Sequence, residues 1–396
     1  MMQIDIVAWL GILLRWFHIM AGIMWIGTSF YFIWLGNALR APKAGSDDEK
    51  AGVEGELWAV HGGGFYHKKK YKVAPDFMPE DLHWFKWEAY LTFISGMLLL
   101  ALVYYYAADL YLIDHTKMML DRSEAILIGL GSIVGAWIFY DMLCKSDIGK
   151  NNGVFGVIWF CALTASTWAL DQVFTGRGAF IHVGAMIGTV MAVNVFAIII
   201  PNQKKAVAAL LAGVKPDPRL GKKAGQRSLH NNYMTLPVLL VMISNHYPVL
   251  FGHEYNWLVL AGLSAAVWPV REFFNQQEKG RTNYLYLVGA AFAFVIVIVL
   301  ASYRPAALSP AQAAQVPFTE VKKIVRTHCV SCHSDTPTHD RISEAPLGVM
   351  FDTAEQIKAQ APRIIEQAVD HDTMPLGNET NMTAEERGKL GVGLGN

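Results

Sequence analysis

Long apolar runs fill the chain up to about residue 303 and largely stop there. A run of ~20 apolar residues is what an α-helix needs to cross the ~30 Å hydrocarbon core of a bilayer. Lipid offers no partner for exposed backbone N–H and C=O groups, so such runs fold as helices that satisfy them internally. Eight runs are read in this way, at about 6–36, 85–108, 124–143, 153–170, 179–200, 231–250, 255–270 and 283–303. Pro201 is expected to stop the fifth, while Pro237, Asn245 and His246 interrupt the sixth. The expected fold is all-α, an eight-span transmembrane helical bundle over 1–303. A linker at 304–316 leads to a soluble module at 317–396. The first run is too long for a cleavable signal peptide and has no basic stretch before it.

Charge supplies the orientation. Lys plus Arg and Asp plus Glu both number 33, and 12 Trp and 20 Phe accompany this zero balance. That composition argues against a nucleic-acid partner and for a lipid bilayer. The loop after the first run carries Arg40, Lys43, Lys50, Lys68, Lys69, Lys70 and Lys72. The loop after the fifth carries Lys204, Lys205, Lys215, Arg219, Lys222, Lys223 and Arg227. Lys145, Lys150, Arg271, Lys279 and Arg281 follow the third and seventh runs, whereas the alternate loops offer only Lys117, Arg122 and Arg177. Basic loops stay on the cytoplasmic side. Both termini and the soluble module are therefore expected on the periplasmic face of a bacterial inner membrane.

Within that module stands Cys329-Val-Ser-Cys332-His333, the Cys-x-x-Cys-His pattern of covalent c-type haem attachment. Two thiols add to the haem vinyl groups, and the imidazole lies beneath the iron. A zinc site would require a second ligand pair, and Cys144 and Cys161 lie far off in apolar runs. A thioredoxin-like dithiol would require a strand–helix context that the surrounding residues lack. Helices are expected at 318–327 and 354–369, with a third from about Thr383, giving a small cytochrome-c fold. Met374, in Thr-Met-Pro-Leu-Gly, is the expected sixth ligand, because a His/Met pair makes a high-potential carrier. Met350 and Met382 are read as packing residues, and His371 and His339 as weaker ligand candidates.

Polar residues inside the apolar runs are functional candidates, since burying them in lipid is costly. Arg15 and His18 share one face of the first run, and His83 and Glu88 sit at the start of the second. His182 and Asn194 lie on the fifth, and His246 on the sixth. A lone membrane histidine is more often a hydrogen-bonded helix contact than a ligand. Two of His18, His182 and His246 are nonetheless candidates to hold a non-covalent b-type haem. The loop sequence Trp58-Ala-Val-His61-Gly-Gly-Gly-Phe-Tyr-His67 is open to two readings. It is a glycine-lined anion site with His61 as donor, or a flexible loop with a basic anchor.

Three stretches resemble one family. They are Arg15-Trp-Phe-His18-Ile-Met-Ala-Gly-Ile-Met-Trp25-Ile-Gly-Thr-Ser-Phe-Tyr-Phe, His61-Gly-Gly-Gly-Phe-Tyr66 and Leu82-His-Trp-Phe-Lys-Trp-Glu-Ala-Tyr90. Together with the haem module they resemble the bacterial integral-membrane urate oxidases, in which the membrane domain is fused to cytochrome c. The resemblance implies oxidation of urate to 5-hydroxyisourate. Electrons would pass to the fused haem c and on to a terminal cytochrome oxidase or a soluble cytochrome c. It also directs attention to His61, Arg15 and His18 as catalytic candidates. Urate would lie either at the inner loop around His61 or within the bundle near Arg15 and His18. The competing class is a quinol:cytochrome c reductase, or a membrane-anchored electron carrier with no organic substrate.

Overall fold

The computed structural model describes residues 6–75, 78–302 and 316–395. The expected linker at 304–316 lies, apart from Val316, outside the described residues. The chain divides into two compact units. The first comprises Met1–Leu99, Ala185–Leu239 and Ser264–Phe294; the second comprises Leu100–Gly184, Leu240–Leu263 and Val295–Asn396.

Among the described residues, seven helices are long and apolar enough to cross a membrane. They are α1 (Ile6–Ala38), α3 (Trp87–Leu100, running on to Tyr105), α5 (Arg122–Lys145) and α6 (Asn152–Asp171), then α7 (Gly176–Val193) continuous with α8 (Ile200–Leu211), α11 (Asn256–Glu278) and α12 (Leu285–Ser302). Short α2 (Asp47–Lys50), α4 (Ala108–Tyr111) and α10 (Pro248–Phe251) lie between them. Local chemistry sets several ends. Asp121 and Glu124 form a reciprocal capping box at the start of α5, and Asn151 caps α6.

Three expectations change. First, the run expected at 231–250 falls on α9 (Pro218–Ser244), which starts earlier, carries Arg227, His230, Asn231 and Asn232, and is not among the seven. The eightfold count is not reached on length and apolarity. Second, Pro201 does not stop its helix. A π-helical turn at Asn194–Ile199 precedes it, and α8 carries on to Leu211. Proline lacks an N–H and crowds the carbonyl one turn back, and a wider turn relieves both problems.

Third, the chain is not purely helical. β1 (Val53–His61) and β2 (Gly64–Tyr71) form an antiparallel hairpin, pairing Trp58 with His67 and Val60 with Phe65. The two-residue connection is Gly62-Gly63, with φ of 56° and 80°. Positive φ at both central residues belongs to the tight hairpin turn whose twist matches its strands. The glycines make a turn here, so the reading of this stretch as an open loop is corrected.

Within the first unit, Trp25, Trp84 and Tyr90 pack around Ala89, Val195 and Ile200. In the second, Tyr140 is enclosed by Phe155 and Trp159. The C-terminal part of the second unit holds α13 (Phe318–His328), α14 (Ala354–Ala359), α15 (Ala361–Ile364, opening into a wide turn to Asp370) and α16 (Ala384–Gly395). Its core is Val321, Ile324, Val325, Phe351, Ile357, Ile364, Ala368, Met382 and Leu390. The helix starts expected from sequence agree to within a residue or two. Met382 packs in this core as expected. A Cβ on Gly393 would strike Val321, so the absent side chain lets α16 approach α13 closely.

Candidate functional site

Cys329 ends α13, and Cys332 and His333 follow in the turn beyond it. Ring Nδ1 of His333 lies 3.0 Å from the Val349 carbonyl oxygen, and Phe351 N donates back to His333 O at 2.9 Å. An Nδ1–H donated to that carbonyl leaves Nε2 as the free lone pair, the arrangement of a metal-binding imidazole held by a partner behind it. Burial pushes the Cys329 thiol up to about 12 and also raises Cys332. Neither is a ready thiolate, so the pair is poorly suited to dithiol exchange. Met374 and Cys329 both pack against the module's core. The loop bearing Met374 is pinned by buried Arg387, whose Nη1 donates to Met374 O at 2.6 Å and Ala368 O at 2.5 Å. These residues fit a covalent haem. His339 is engaged instead by Glu379 at 3.1 Å.

This module is seated on neighbouring segments of its own unit. Arg341 donates to Tyr106 O at 2.9 Å and pairs with Asp109 at 3.2 Å, and Asp109 also pairs with Arg122 at 2.6 Å. A Cβ on Gly377 would collide with Asp109 O, and one on Gly252 with His371 O.

The other sequence candidates are dispersed. His61 is exposed at the hairpin end, and Arg15 is exposed on α1. His18 is half-buried, with Nδ1 2.9 Å from Ser95 Oγ and Gly96 against its ring. His182 is fully buried. Its Nδ1 lies 2.8 Å from Gly178 O and its Nε2 3.1 Å from Tyr105 Oη, while Gly129 approaches so closely that a Cβ would strike the ring. His246 is exposed in the turn after α9. Each ring nitrogen of His182 thus has a protein neighbour, the ordinary state of a packed histidine.

A group that the sequence reading did not assemble lies in the first unit. Arg227 and Arg271, counted there as loop charges, are in helices and only 4% and 5% exposed. Arg271 Nε donates to Asn232 Oδ1 at 2.5 Å, and Asn232 Nδ2 donates to Asn275 Oδ1 at 3.2 Å. Its guanidinium lies 4.3 Å from the Phe30 ring centre, with Glu278 at 4.0 Å and Nη2 without a partner among the described residues. One residue back, Asn231 accepts from fully buried Asn194 at 2.9 Å and donates to Met191 O at 3.0 Å. Asn194 opens the π-helical turn, a feature that recurs at functional sites. The available signal was Arg227-x-x-His230-Asn231, a polar stripe at helical spacing.

The family model described as urate oxidase N-terminal matches residues 4–302, covering both the polar group and the hairpin. No curated protein and no solved structure matches the chain.

Proposed function

This chain belongs to the urate oxidase N-terminal family, and we propose that it is a membrane-bound oxidoreductase converting urate to 5-hydroxyisourate. The observation that carries the reading is the joining of a 4–302 family region to a module presenting Cys329, Cys332, His333 and Met374. The reaction adds the elements of water to urate as a hydroxyl group and releases two protons and two electrons. Cys329 and Cys332 would hold haem c, with His333 and Met374 as its iron ligands, and when bound it would supply a one-electron acceptor that takes the two electrons one at a time. The electrons then leave to a terminal cytochrome oxidase or a soluble cytochrome c. The loop charge bias supports a module on the periplasmic face of a bacterial inner membrane. Arg341, paired with Asp109, would hold it close to the membrane domain.

A b-type haem on His182 and His246 would require the first to release Tyr105. His61 is exposed at the hairpin end, so it suits a docking or entry role better than a desolvated catalytic one. The test is anaerobic mixing of the purified full-length protein with urate or with a quinol. Urate should reduce the c-type haem and yield 5-hydroxyisourate. Reduction by quinol alone would overturn the proposal in favour of a quinol:cytochrome c reductase.

A further inference from the structure

We infer that urate is bound in the first unit by Arg271 and the carboxamides beside it, on α9 and α11, with Phe30 of α1 forming one wall. The inference rests on the urate reading above and assigns it a place.

A guanidinium withdrawn from water to 5% exposure must find partners, because an unpaired buried charge is destabilising. Those present are incomplete. Asn232 takes Nε, Glu278 stands 4.0 Å away, and Nη2 has no hydrogen-bond partner among the described residues. The nearby carboxylates are also occupied elsewhere. Glu278 accepts from Asn37 at 2.8 Å, while Glu272 accepts from Tyr233 and, at 2.5 Å, from Gln276. A second buried guanidinium, Arg227, lies on α9 one turn before the Asn231–Asn232 pair. Arg271 therefore offers a cationic donor in a desolvated setting, where charge-assisted hydrogen bonds are strongest.

The neutral members define the shape. Asn194, Asn231, Asn232 and Asn275 are carboxamides, each with a donor and an acceptor in one plane. Such a plane complements the alternating N–H and C=O edges of a purine trione, and Arg matches its anionic edge with two parallel N–H donors. Aromatic surface lies near members of the group. Phe30 lies under Arg271, and Val195, next to Asn194, packs with Trp25, Trp84 and Tyr90. His61, exposed at the hairpin end, offers an anion only a donor open to water.

The experiment measures binding of radiolabelled urate to the full-length holoprotein reduced with ascorbate, so that no electrons are accepted. Arg271→Gln and Asn232→Asp should each weaken binding by about ten- to a hundredfold. Exposed Lys205→Gln should bind as wild type does. Asn232→Asp places a carboxylate against Arg271, so it keeps the fold while occupying the guanidinium. It decides the matter alone if Arg271→Gln does not accumulate. Wild-type affinity in both variants, with the haem still reduced by urate in the wild type, overturns this site and leaves the urate reading standing. Failure of urate to reduce the wild-type haem overturns both.

Discussion

His333 and Val349 are joined by a 3.0 Å hydrogen bond between ring Nδ1 and a backbone carbonyl. The link fixes the tautomer, because a carbonyl can only accept. It also leaves Nε2 as the nitrogen that would bind the iron of the proposed haem, for which Met374 is the second proposed ligand. Met374→Ala should lower the haem reduction potential and admit added imidazole as a ligand, read by redox titration and absorbance. Met382→Ala should leave the potential in place while destabilising the module by about 2–5 kcal/mol, since it empties a core position. The reverse pattern would exchange the two methionines' roles.

Thiol reactivity distinguishes Cys329 from Cys332. Cys329, pushed up to about 12 by burial, stays protonated throughout the neutral range. Cys332 is raised too, but is less enclosed. In haem-free protein at pH 8, iodoacetamide should alkylate Cys332 well before Cys329, as followed by mass spectrometry of the peptides.

Asp109 ties the module to its neighbours and sets a pH limit. Burial by itself would raise its carboxyl, but the Arg122 hydrogen bond and the Arg122 and Arg341 charges outweigh it and hold the pKa below 3.8. A depressed folded-state pKa contributes stability that is present above 3.8 and lost as pH falls through the lower folded value. Hydrogen exchange of the Leu376–Asn378 turn should therefore quicken in acid below about pH 4. Asp109→Asn should produce the same quickening at pH 7.

Gly377→Ala tests the same contact by shape. Its φ of 58° disfavours a side chain, and a Cβ would meet Asp109 O. Destabilisation of about 1–3 kcal/mol is expected, accompanied by loosened docking of the module. Gly27→Ala, with nothing within 4 Å of the new atom, should be nearly silent in the same thermal melt.

Removing the hydroxyl at Tyr105 should show whether His182 is a packing residue. Tyr105→Phe frees Nε2 but keeps the ring volume beside a fully buried imidazole. A loss of about 1–3 kcal/mol is expected from the stranded nitrogen, with the absorbance spectrum unchanged. A changed b-type band would instead make His182 a haem ligand.

Local and repetitive signals were legible in the chain. The apolar runs declare most of the long helices because lipid and helix share a single length requirement. Cys329–His333 stands out as a motif because its thiols and imidazole follow at a fixed, local spacing. The starts expected at 318, 354 and about Thr383 fall within a residue of the observed helices, because helix starts are set by local residues. Hairpin 53–71 is obscured in the sequence by its lysines, whose charge signals topology more strongly than strand pairing. The Arg271 group was hidden for a deeper reason. Phe30, Asn194, Asn232 and Arg271 are far apart in sequence, and a guanidinium at a helix end reads identically whether it faces water or a neighbouring helix. Only the packing of α1, α7, α9 and α11 turns those loop charges into buried donors, because burial is a property of neighbours that no single segment carries.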